Sequence, residues 1–101
     1  MIVHIGDNIS LLKKDILLML DANTVSKSQD NKKFIENLIK NKSLVNKLDH
    51  NTKTYIIALD NSKKSQMAEY KRYKLYGSKI SSSSILKRIN TNGQDWGKVN
   101  G

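Results

Sequence analysis

Lys63, Lys64, Lys71, Arg72, Lys74, Lys79, Lys87 and Arg88 lie between Ser62 and Asn90, where Glu69 is the one acid. That stretch is under a third of the chain, yet it carries +7 of the formal +9 left by 18 basic and 9 acidic residues. Cations at this density attract a polyanion and release its condensed counterions on contact. Lys13 and Lys14 form a second, smaller cluster ahead of an apolar run, and Lys53 heads another. Such charge suits nucleic acid, an anionic membrane surface, or a lysine-rich exterior that serves solubility alone. Nucleic acid is the leading reading. Lysine outnumbers arginine sixteen to two, and arginine is the better bidentate reader of guanine. Backbone contacts and DNA shape should therefore outweigh base-edge contacts.

Other chemistry finds little support in the sequence. There is no cysteine, which removes thiolate nucleophiles, thiolate metal sites and disulfides. His4 and His50 stand apart, with no carboxylate at metal-ligand or triad spacing. Asp7, Asp15 and Asp21 read as turn and strand-end residues. No glycine-rich phosphate loop is present. The expectation is a protein that is not an enzyme, with no catalytic residue, cofactor, metal or small-molecule substrate. The longest apolar runs, Ile16 to Leu20 and Tyr55 to Leu59, are strand-sized and far too short to span a bilayer. No basic segment leads into a long apolar one at the N-terminus. These readings imply a cytoplasmic protein with no membrane partner.

The elements that would position these cations can be read from hydrophobic patterning. Met1 to Ile5 is a first strand, ended by the turn triplet Gly6-Asp7-Asn8, and Ile9 to Leu12 is a second. Ile16 to Leu20 is a buried strand or a helix segment, which periodicity cannot separate. Its length and polar flanks favour a central strand, with Lys13 and Lys14 exposed just before it. Asp21 to Ser28 reads as a loop. Phe34, Ile35, Leu38 and Ile39 form the apolar face of the main helix, over about 28–42, capped by Ser28 or Asp30. Leu44, Val45 and Leu48 read as extending that face after a break, while 46–52 is mostly loop. Lys53 to Leu59 is a strand bounded by Asp60-Asn61-Ser62.

The stretch 62–73 reads as a long basic connection, part of it mobile, between antiparallel strands. Lys74 to Ile80 is extended, with Gly77 permitting a bend. Ser81 to Ser84 either cap a short C-terminal helix over about 82–90 or form a flexible linker. Ile80, Ile85, Leu86 and Ile89 favour the helix, with Ile80 stapled onto it. Thr91 to Gly101 is a polar tail, in which Trp96 is an end residue or a partner's anchor. The fold class expected is α+β: one small antiparallel sheet of about four to five strands, one main helix and one short helix. The domain would cover 1–90 and the flexible tail 91–101.

Four segments in order carry a resemblance. Met1-Ile2-Val3-His4-Ile5-Gly6-Asp7-Asn8, then Lys14-Asp15-Ile16 through Asp21, Lys53-Thr54-Tyr55-Ile56-Ile57, and the run from Ser78 to Arg88 resemble the bacterial extracellular matrix regulator family (RemA and RemB), the RemB branch more closely. The resemblance covers about 1–88. It implies a small α+β DNA-binding protein that assembles with itself, in the family into rings, and activates biofilm matrix genes. Carried over by position, Lys14 stands where the family has an arginine before its buried strand. Lys53 stands on the basic residue leading the later strand. The sequence departs from the family pattern at Lys79, which replaces a proline, and at Asn51 and Thr52, near the family's paired arginines. The connection 62–73 is also longer than the family's turn.

Together these readings give double-stranded DNA and a second copy of the chain as partners. They name Lys13, Lys14, Lys53, Lys71, Arg72, Lys74, Lys87 and Arg88 as candidate DNA contacts. A nucleoid-associated transcription regulator is expected. Two other readings stay open. Tyr55, Tyr70, Tyr73 and Tyr76 among lysines would suit stacking on single-stranded nucleic acid or RNA. An oligomeric scaffold without nucleic acid is the other.

Overall fold

The computed structural model describes residues 1–60 and 72–90. The expected connection therefore falls largely, and the expected tail entirely, outside the described residues. The elements are β1 (Ile2–Gly6), β2 (Ile9–Leu12), a 3-10 turn (Lys13–Asp15), β3 (Ile16–Asp21), α1 (Ala22–Ser26), α2 (Gln29–Lys40), β4 (Thr54–Leu59) and β5 (Tyr73–Ser78). Residues 82–90 form a further helix, α3.

The class is α+β, as the patterning indicates, but the strands divide differently. Instead of one sheet of four or five, β1 and β2 form a two-stranded antiparallel hairpin. A separate antiparallel sheet has the order β3-β4-β5. The hairpin is closed by Asp7 and Asn8, both with positive φ, between the paired Gly6 and Ile9. That is the two-residue turn whose twist matches the flanking strands, and Asn and Asp are the side chains that tolerate it best after glycine.

Alternation along β4 builds two cores. Ile56 and Ala58 point to one face, where they meet Val3, Ile5 and Leu11 of the hairpin and Ile85 of α3. Ile57 and Tyr55 point to the other, where Ile57 meets Val25 of α1, Ile35 and Leu38 of α2, and Leu75 of β5. Both faces of the sheet are thus covered, which is why β4 reads as an unbroken apolar run. Each fully buried Ile or Leu here contributes about 1.5–3 kcal/mol.

Two hydroxyls pin the joint between β5 and α3. Buried Thr54 donates from Oγ1 to the Ile80 carbonyl (2.8 Å), and buried Ser78 donates from Oγ to the Ile5 carbonyl (2.7 Å). Ser81 caps α3 by accepting from the Ser84 amide (3.3 Å). Ile80 packs in the same core as Ile85, so the serine run is a helix start with its staple, not a linker.

Three expectations need correction. Residues 21–28 are not all loop: Asp21 accepts from the Thr24 amide (3.1 Å) and starts α1. Five residues give too little periodicity to read as a helix. The 44–48 segment does not extend α2. Lys42, at φ 63°, takes the left-handed position that ends α2. Its amide donates to Ile39 and that of Ser43 to Leu38, the paired bonds of a Schellman cap. The chain then turns along β5. Finally, β3 is not central. It is an edge strand, with Leu17 and Leu18 51% and 42% exposed. A charge-free apolar run looks the same whether its outer side meets protein or solvent.

Candidate nucleic-acid interface

The candidate cations separate into groups set by the ladder register. At one end of the sheet, the turn before β3 presents Lys13 and Lys14, both exposed. They line a shallow groove with Met1 and Leu12. Lys13 is fixed through its own amide, which donates to the Met1 carbonyl (3.0 Å). Because Ile16 pairs with Ala58 and Ala58 with Lys74, Arg72 and Lys74 lie at this same end. Arg72 is exposed and its carbonyl accepts from the Asp60 amide.

Lys74 differs from its neighbours. Its Nζ is 3.7 Å from Asp60 Oδ2, and the Asp60 side chain is only 7% exposed. A buried carboxylate needs its counter-charge, so Lys74 holds the sheet end together more than it presents charge outward. Tyr76 feels the same acids. Burial first, then the charges of Asp60 and Asp15, push its hydroxyl above the usual tyrosine value of 10.0.

Lys53 occupies the opposite end. Its amide donates to the Ser78 carbonyl (2.7 Å) and its carbonyl accepts from the Ala22 amide (2.8 Å). Lys14 and Lys53 are thus separated by the length of the β3–β4 ladder, about 17 Å. They do not share one phosphate. The register also brings exposed Lys79, just past Ser78, to the Lys53 end. Lys79 is not among the expected contacts, because two strands joined by a long connection give no register in the sequence.

Lys87 and Arg88 are exposed on α3. Arg88 Nη1 donates to the His4 carbonyl (2.9 Å), tying α3 to β1. That uses one of its five guanidinium N–H groups. Lys71 lies outside the described residues. Among the described residues, Lys13, Lys14, Lys53 and Lys87 have no carboxylate within ion-pair distance.

Three of the tyrosines are spent on packing. Tyr55 and Tyr73 are half-buried against the α2 core, and Tyr76 against the hairpin core; Tyr70 lies outside the described residues. His4 Nδ1 is 2.8 Å from Ser10 Oγ across the exposed face of the hairpin. Among the described residues no cluster of His and acidic side chains could hold a metal ion. No helix there is long and apolar enough to cross a membrane.

No family model matches the chain, and comparisons with curated proteins and with solved structures give no match.

Proposed function

We propose that the protein binds double-stranded DNA through its phosphates and acts as a homo-oligomeric transcription regulator in the cytoplasm, associated with the nucleoid. The observation that carries this reading is a set of exposed cations at both ends of the sheet, on a chain of net charge +9; among the described residues Lys13, Lys14, Lys53 and Lys87 have no carboxylate within ion-pair distance. Lys13, Lys14 and Arg72 serve one end, Lys53 and Lys79 the other, with Lys87 and Arg88 on α3. Biofilm matrix genes as the target come from the resemblance alone.

One copy neutralising two or three phosphates binds weakly, and several copies on one duplex add avidity. Duplex is favoured over single strand because three of the four tyrosines that would stack on bases are packed in the cores.

The test is affinity for a random duplex against salt. Two to three phosphate contacts per copy predict about a 10- to 40-fold loss between 50 and 200 mM salt. Lys14→Ala and Lys53→Ala should each lower the salt slope by about one contact without unfolding the chain. Affinity that ignores salt, or is unchanged in both variants, overturns the reading. A preference for single strands over duplex would replace it with the RNA-type alternative.

A further inference from the structure

The two edges of the β3-β4-β5 sheet are finished differently. The outer edge of β5 is covered by the chain itself. The Leu75 amide donates to the Ser43 carbonyl, and the Val45 amide to the Leu75 carbonyl (both 2.9 Å). One step further on, the Asn46 side chain replaces a strand: its Oδ1 accepts from the Gly77 amide (2.9 Å) and its Nδ2 donates to the Gly77 carbonyl (2.8 Å).

The outer edge of β3 has nothing equivalent among the described residues. The Ala22 amide donates to Lys53 across β4, so alternation turns the backbone groups of Met19 and Asp21 outward. Ile16 to Leu20 contains no charge and no proline. Leu17 and Leu18 stand half-exposed there. Natural edge strands are usually protected by charge, proline or cover; among the described residues the apolar run has a bulge between Ile16 and Leu18 as its one such device.

We propose that the outer edge of β3, uncovered among the described residues, pairs antiparallel with β3 of a second copy, joining two three-stranded sheets into one of six strands. The charge pattern selects this occupant. Lys13, Lys14 and Asp15 precede the apolar run, which leaves that end at net +1, and Asp21 ends the run with a −1 charge. Antiparallel pairing about a two-fold axis sets the basic end of each strand against the acidic end of the other. Parallel pairing would set like against like. The leucines of both copies then cover one another, and the outward amides and carbonyls gain strand partners. Such a contact is isologous and closes at two copies, so any larger assembly needs a second surface. The inference rests on the self-association in the proposed function but not on DNA binding.

The absence of cysteine makes the geometry testable. Leu18→Cys supplies a single thiol near the axis, and mild oxidation should convert most of it into a covalent dimer. Phe34→Cys, equally exposed on α2, should stay largely monomeric under the same conditions. In sedimentation over roughly 1–200 µM, the wild-type chain should show a dimer. The double variant Leu17→Lys with Leu18→Lys should weaken it at least 100-fold, with an unchanged circular dichroism spectrum.

A wild-type chain that remains monomeric, a dimer indifferent to the two lysines, or equal crosslinking of the Leu18→Cys and Phe34→Cys variants overturns the pairing. Duplex binding measured on the same samples separates the two ideas. A monomer that binds DNA sinks the edge contact and the self-association but leaves the DNA reading standing, whereas a lysine-sensitive dimer that ignores DNA upholds the contact and sinks the DNA reading.

Discussion

The β5 side and the β3 side of the sheet solve one physical problem in two ways. On the β5 side, residues 43–46 and the Asn46 amide satisfy the strand's outer backbone, while Leu48 and Thr52 lie over Gly77. A methyl group at residue 77 would collide with the Leu48 side chain, so glycine lets this cover sit close. On the β3 side the leucines and the backbone face outward together. Local chain closes one edge, and among the described residues nothing closes the other. The difference teaches that side-chain hydrophobicity does not report where a strand lies in a sheet. Leu75 is fully buried and Leu18 is 42% exposed, though both sit on edge strands.

Substitutions should separate the two sides by size of effect. Leu75→Ala, which empties a fully buried site, should cost about 2–5 kcal/mol in urea unfolding. Asn46→Ala should cost about 1–3 kcal/mol, because it leaves the Gly77 amide and carbonyl without their side-chain partner. Lys42→Gly should raise the stability by about 0.5–1 kcal/mol, relieving a left-handed lysine at the turn that leads into the cover. Leu18→Ala, measured where the chain is monomeric, should fall within about 0.5 kcal/mol of wild type. A Leu18→Ala loss approaching that of Leu75→Ala would mean that the β3 edge is covered within one chain.

Local patterning made most elements legible. The Asp7-Asn8 turn, the strand run before Asp60, the Ile35 and Leu38 face of α2, and the Ser81 cap with its Ile80 staple are all decided by neighbours within a few positions. Three features were hidden because hydrophobic patterning does not show what a side chain will meet. Leu44 and Leu48 look like helix residues until Lys42 turns the chain toward β5. Ile16 to Leu20 looks central because an apolar run does not show what its other side meets. Phe34 and Ile39 fall on the flank of α2's apolar face and remain partly exposed. The candidate interface was legible as a composition and not as a map. The charges could be counted, but the register that parts Lys14 from Lys53, unites Lys53 with Lys79 and commits Lys74 to Asp60 is tertiary.

The span between the two lysine-bearing ends also behaves as a caliper. Its jaws are set by hydrogen-bonded strands, which resist stretching, and not by a loop that could adapt. Its opening of about 17 Å matches roughly five base-pair steps along one strand. Adding two residues to both β3 and β4 would widen it by about 7 Å, or two steps, while preserving which side chains face each core. Under the proposed DNA reading, the preferred grip on a duplex would then change without any lysine being altered.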